Sequence, residues 1–303
     1  MNTFDLPVVR WCMLHVANGD LFYIALVLLT LAAALRLAAS WRAMYRWRHV
    51  LALLTGVGCF ALILAASSLT LAWLAYLGLL AVGACLYRPQ RRLRLAVAAL
   101  AMATGAFSLV QTIDYEAGPD PLNTNDSAQP DVGQVVGIGD VFNRVVTPER
   151  TEGWPLRLKP LIHRDTASYA FADTSVADID RYLSTRPIHD AVIILAVGAH
   201  DMLFGQSLTD YRNGLSALLT RLTADNRVIM IEMPVPLARP WYGWVQRSIA
   251  EQHGVALIPR RVIADVLFAA PGATAEDGLH LTPAGHQRLA ESLAAYLTPP
   301  RRR

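Results

Sequence analysis

The chain reads as two fold classes in series: an all-α membrane-spanning region, then an α/β domain with a parallel sheet between two layers of helices. Three observations predict this. Of 303 residues, 54% are hydrophobic and 17% are charged, where a soluble protein carries about a quarter charged; mean hydropathy is +0.33. The apolar excess lies before residue 112 and the charges gather after it. Beyond residue 132, short apolar runs alternate with amphipathic stretches, the rhythm of strands buried on both faces and separated by helices.

Four stretches approach the roughly 17–25 residues that cross about 30 Å of hydrocarbon: Leu21–Ala39, Val50–Ala66, Leu69–Tyr87 and Leu95–Ile113. Residues 1–113 are therefore expected to form a transmembrane region of about four helices. Gly56, Gly58, Gly78, Gly83 and Gly105 permit close helix packing. Arg36 is the charge inside a span, near enough to its end to snorkel to the interface. The alternative is a set of buried helices in a large soluble core. The Val50–Tyr87 run, whose middle offers only Ser67, Ser68 and Thr70 as polar residues, argues against it.

Arg42, Arg46, Arg48 and His49 follow the first span, and Arg88, Arg91, Arg92 and Arg94 follow the third. The positive-inside rule makes both clusters cytoplasmic. Both termini are then expected outside, with Arg10 the basic residue that opposes the assignment. A cleaved signal peptide is the competing reading of the first span, but Asp5 and Asp20 interrupt the early segment and no basic stretch leads directly into an apolar core. The expected location is an integral cell membrane protein, of the inner membrane in a bacterium, with its soluble domain extracytoplasmic or periplasmic. Cys12, Cys59 and Cys85 all lie in or beside the membrane region, so the soluble part has no disulfide framework and no cysteine zinc site. The net charge of +3 gives no sign of a nucleic-acid surface.

Residues 114–132, dense in Pro, Asp, Asn, Gly and Ser, read as a linker. The domain follows over 133–303. Its strands are expected at Gln134–Ile138, Ala167–Ala172, Ala191–Val197, Arg227–Glu232 and Val255–Ile258, and its helices at Ser175–Ser184, Leu208–Thr223, Trp241–His253, Arg261–Phe268 and Pro283–Leu297. Thr282 suits the cap of the last helix and Pro283 its first turn. Functional groups in such a sheet gather at the carboxyl ends of the strands, and three polar motifs sit there: GIGDVFNR (137–144), AVGAHD (196–201) and DGLHLTPAGH (277–286).

In order and spacing, these motifs resemble the blocks of the SGNH/GDSL hydrolases over residues 133–298. The resemblance implies a three-layer, flavodoxin-like parallel sheet and, ancestrally, an ester hydrolase or O-acyl transferase that uses no cofactor or metal. It implies that Asp277 orients His280 as the general base, a pairing with chemical logic because a hydroxyl attacks only once a base takes its proton. It places the nucleophile at residue 141 and the oxyanion-side residues at Gly139, Asp140, Ala172, Gly198 and His200. The sequence departs from the family pattern at three of these. Val141 replaces the nucleophilic Ser, Ala172 stands where Gly is usual, and His200 replaces Asn. An alanine still offers its backbone N–H, and a histidine still offers a ring donor. An isopropyl group cannot attack a carbonyl.

Each remaining polar residue has a plainer reading beside the functional one. Asp140 is suited to ordering the loop after the first strand, and Ser175 to capping a helix. Asp277 and His280 have the alternative of persisting as a structural pair. His189, His253 and His286 read as exposed helix or loop residues. Trp241, Tyr242 and Trp244 suit packing at a rim or core, with a sugar- or acyl-binding wall as the alternative. A metal site from His200, His280 and Asp140 has no supporting spacing. Three functions follow: an extracytoplasmic esterase or acyl transferase on envelope glycans or lipids, an inactive module that binds an acylated glycan or lipid or assists envelope assembly, or a subunit of a membrane complex. The bilayer is the one partner the sequence specifies.

Overall fold

The computed structural model describes residues 6–38, 41–64, 75–79, 91–117, 133–143, 153–234, 239 and 241–297. It divides into two units: one holds Met1–Asn18, Ala117–Pro236 and Trp241–Arg303, and the other holds Gly19–Glu116 and Leu237–Pro240.

The helical unit contains α2 (Asp20–Ala38), α3 (Trp41–Leu64) and α4 (Arg91–Ala117), with residues 75–79 also helical. The expected spans 21–39, 50–66 and 95–113 fall on these helices, and most of 69–87 lies outside the described residues. Helices α2 and α3 pack closely: a Cβ on Gly58 would lie 2.9 Å from Leu29 Cγ. Their hydroxyls are satisfied internally, Thr30 donating to the Leu26 carbonyl, Thr55 to Leu51, Thr104 to Leu100 and Ser108 to Thr104. Among the described residues no single helix is long and apolar enough to cross a membrane; Pro7–Asn18 and Asp20–Leu35 pass that test only as a pair.

The first helix, α1 (Pro7–Asn18), belongs with the α/β domain and not with the helices that follow it. The boundary expected at residue 113 therefore needs this correction. Leu14 and Ala17 pack against the domain core, and Asn18 Nδ2 donates to Asp265 Oδ1 at 3.4 Å. Gly19, at φ +82°, ends the helix in a conformation that costs a glycine little.

The domain is a five-stranded, all-parallel sheet in the order β2-β1-β3-β4-β5, the flavodoxin-like arrangement. Its strands are β1 Gln134–Gly139, β2 Asp165–Ala170, β3 Ala191–Ala196, β4 Arg227–Ile231 and β5 Ala256–Ile258. Every residue of β3 is buried, which is why the strand reads as an unbroken apolar run. Two packed groups of helices accompany the sheet. One comprises α5 (Trp154–Ile162), α10 (Arg260–Phe268) and α11 (Pro283–Leu297); the other comprises α6 (Val176–Ser184), α8 (Leu208–Thr223) and α9 (Trp241–Gln252). A short helix, α7 (Ala199–Phe204), follows β3.

Three elements differ from the sequence reading. β2 runs 165–170 in place of 167–172, because parallel pairing sets Asp165 opposite Gln134 and Ala170 opposite Gly139. The polar Asp165 and Thr166 are tolerated because β2 is an edge strand with alternating exposure. Helix α5 was not anticipated: Pro155 and Pro160 suggest a break, yet Pro155 occupies the first turn, where its missing N–H has no helical partner to lose. Residue 137 must be glycine for this helix to approach, since a Cβ there would lie 2.4 Å from Pro155 Cγ. The third is α7, too short for a periodicity to register.

Candidate functional site

The sheet order reverses between β1 and β3, and their carboxyl ends are joined by one side chain. Asp140, buried immediately after β1, accepts from the Gly198 and His200 N–H groups through Oδ2, at 3.0 and 3.2 Å, and from the Val141 N–H through Oδ1 at 2.6 Å. Burial pushes its carboxyl up to about 6 against the pull of these three donors. Two glycines make the crossing possible. A Cβ on Gly139 would lie 2.5 Å from Asn143 Oδ1 and 2.8 Å from the Ala196 carbonyl. Gly198 has φ +103°, and a Cβ there would meet Tyr211 Oη at 2.6 Å. Asn143 is itself buried, accepting from Trp154 Nε1 at 2.6 Å.

Val141 is half-buried in the turn that follows Asp140, with its N–H directed to that carboxylate. His200 lies on α7 with its ring 4.5 Å from that of Phe204, and its Nδ1 is buried with no hydrogen-bond partner among the described residues. Ala172 is exposed in the loop after β2, where its carbonyl accepts from Thr174 Oγ1 at 2.6 Å. Ser175 caps α6: its Oγ accepts from the Asp178 N–H at 3.2 Å and donates to Asp178 Oδ2 at 2.7 Å.

Asp277 and His280 occupy a small hairpin before α11. Asp277 Oδ2 meets His280 Nδ1 at 2.5 Å, and Oδ1 accepts from the Leu279 and His280 N–H groups at 2.9 and 3.0 Å. Burial alone would raise the Asp277 carboxyl, but the hydrogen bonds from the His280 ring and from the two N–H groups outweigh it and hold the carboxyl below its ordinary value. An ionised Asp277 fixes the Nδ1–H tautomer and leaves Nε2 as the basic nitrogen. Thr274 bridges Leu281, the Thr282 N–H donates to the Ala273 carbonyl at 2.9 Å, and Thr282 Oγ1 donates to the Gly272 carbonyl at 2.6 Å. Thr282 Oγ1 also accepts from the Gly285 N–H at 3.2 Å. A Cβ on Gly285 would stand 2.1 Å from the Ala273 carbonyl oxygen, so the Asp-x-x-His-Leu-Thr-x-x-Gly spacing has a steric basis.

Of the remaining candidates, His286 lies differently from expectation. His286 is fully buried, and its Nδ1 accepts from the Trp154 N–H at 3.3 Å, so it joins α11 to α5 and is no exposed helix residue. His253 meets Ser216 Oγ at 2.9 Å, and exposed His189 meets Asp225 at 2.9 Å. Tyr242 is buried, while Trp241 and Trp244 are exposed. Sequence reasoning missed the buried Glu232, which receives Arg247 Nε at 2.8 Å and the Arg260 N–H at 3.3 Å. Only its place at the end of an apolar strand signals it. No three metal-ligating side chains cluster among the described residues.

The family model "GDSL-like Lipase/Acylhydrolase family" matches residues 135–288, about half of the chain. No curated protein matches the sequence. Among solved structures, a psychrotrophic esterase, EstA, from Pseudoalteromonas sp. is 17% identical, with 53% of this chain and 94% of that one covered at a TM-score of 0.46. A lipase/acylhydrolase from Enterococcus faecalis is 16% identical, with 56% and 99% covered at a TM-score of 0.42. A member of the lipolytic protein G-D-S-L family from Veillonella parvula is 16% identical, with 52% and 94% covered at a TM-score of 0.43.

Proposed function

This chain belongs to the GDSL-like lipase/acylhydrolase family, and on that premise we propose that its esterase/lipase-like domain is a membrane-anchored, extracytoplasmic module that keeps the acid–base pair, lacks serine catalysis, and holds an acylated glycan or lipid in its cleft. One observation carries the reading: the first residue after Asp140 is Val141, an isopropyl group in the turn at the end of β1. Losing a triad serine costs about 10⁶ in kcat, roughly 8 kcal/mol of barrier, and no chemistry of a valine recovers it. In this reading Asp277 orients His280, and Gly139, Asp140, Ala172, Gly198 and His200 shape the oxyanion side of the cleft.

Two observations support the anchor. The helical unit leaves large apolar side chains exposed, among them Val27, Leu53, Phe60 and Met102, each more than 60% accessible. Among the described residues, Thr30, Thr55, Thr104 and Ser108 donate to carbonyls of their own helices, as polar groups in lipid must. The Arg42–Arg48 and Arg88–Arg94 clusters then set the orientation.

The test assays the full-length protein with short-chain aryl esters and a serine-directed fluorophosphonate, beside Val141→Ser and His280→Ala. The native chain is expected to show neither turnover nor labelling, and Val141→Ser to gain both. Turnover by the native chain that His280→Ala abolishes would overturn the reading in favour of an active hydrolase working through water or another nucleophile.

A further inference from the structure

We infer that α1 is an interfacial helix, held between the hydrolase-like domain and the lipid headgroups. The inference rests on the membrane reading above and adds to it where the domain meets the bilayer. One flank of α1 is committed to the domain: Leu14 and Ala17 pack on its core, and Asn18 donates to Asp265 on α10. The remaining surface is not that of a solvated helix. Val8 is 74% accessible and Trp11 63%, with Met13 exposed beside them. A surface helix ordinarily turns charged residues outward, yet between Asp5 and Asp20 the titratable groups are Arg10, Cys12 and His15, with no acid among them. An exposed apolar face that carries a tryptophan and no acid is the composition that settles at the headgroup layer.

Continuity names the same occupant. A single residue, Gly19, separates α1 from α2, the first of the apolar helices. If α2 enters the bilayer, the Asn18 end of α1 lies within about one helical turn of its surface.

The experiment uses the full chain with Cys12, Cys59 and Cys85 replaced by Ser, in phosphatidylethanolamine–phosphatidylglycerol vesicles. A nitroxide is attached at Trp11→Cys, at Val27→Cys on α2, or at the exposed Tyr182→Cys on α6, and its accessibility to oxygen and to a water-soluble nickel chelate is read by electron paramagnetic resonance. The label at 27 is expected in hydrocarbon, that at 182 in water, and that at 11 at headgroup depth, with nickel accessibility reduced several-fold from that at 182. A label at 11 as open to nickel as that at 182, with 27 still in hydrocarbon, overturns this inference alone. A water-exposed label at 27 overturns the membrane reading and this inference with it. In the same vesicles, Asn18→Cys with Asp265→Cys is expected to be joined by a short bifunctional thiol reagent; failure to cross-link means that α1 leaves the domain, and sinks the inference.

Discussion

The Asp277–His280 hairpin and the turn after β1 are built in opposite ways. The Asp277–His280 hairpin is braced almost entirely by its neighbours in sequence, through Gly272, Ala273, Thr274, Leu281, Thr282 and Gly285. The turn after β1 is instead tied to a segment far away in sequence, Asp140 accepting from the Gly198 and His200 N–H groups as well as from Val141. A pair held by its own hairpin is insulated from changes elsewhere in the domain, whereas an arrangement assembled from distant segments is disturbed when any one of them shifts.

The largest expected effect is at residue 141, where the proposed reading lacks a nucleophile. Val141→Ser should create ester turnover that His280→Ala then reduces by about 10²–10⁴-fold, the usual worth of a positioned general base. If the gain survives loss of His280, residue 141 and His280 are not aligned as a catalytic pair. Next in size, Gly285→Ala attacks the brace of the Asp277–His280 hairpin, since the new Cβ would lie 2.1 Å from a backbone oxygen. A loss of about 3 kcal/mol is expected in urea unfolding, and an unchanged midpoint would show that the hairpin tolerates displacement.

The hairpin and the turn should also answer pH with opposite signs. Asp140 binds its proton up to about pH 6 in the native state against 3.8 as its ordinary value, so between these values the folded chain holds more protons than the unfolded one. Its contribution to stability falls as pH rises through that window, by about 3 kcal/mol. Asp277 is held below its ordinary value, so its contribution is present at neutral pH and is lost on acidification below about 4. Unfolding midpoints of Asp140→Asn and Asp277→Asn across pH 3–7 separate the two: the first should lack the native fall between pH 4 and 6, and the second should lack the loss at low pH. Matching slopes in both variants would break the comparison. The smallest effect is expected at Ser175→Ala, about 1 kcal/mol for a lost helix cap, with ligand binding unaffected; impaired binding would move Ser175 into the cleft.

What was legible in the sequence follows from range. β1, β3 and β4 are apolar on both faces, so composition alone marks them, and their carboxyl ends mark the polar motifs. The Asp277–His280 pair was readable because its partners lie three residues apart. Helix α5 was hidden by prolines whose cost depends on their position in the turn. Buried His286 looked like a surface residue because Trp154, which donates to it, lies 132 residues away. The Glu232–Arg247 pair joins a strand end to α9 and has no local signature. The attachment of α1 was illegible for the same reason: its apolar residues read as membrane sequence until α10 was seen beneath them.

The self-bracing of the Asp277–His280 hairpin changes what its presence means among related chains. A pair maintained by its own hairpin can be inherited intact long after the reaction it served has been lost, because removing it costs folding stability whether or not anything is hydrolysed. An aligned aspartate and histidine at this place therefore testify to a shared scaffold, and activity has to be judged from the residue two positions beyond the first strand.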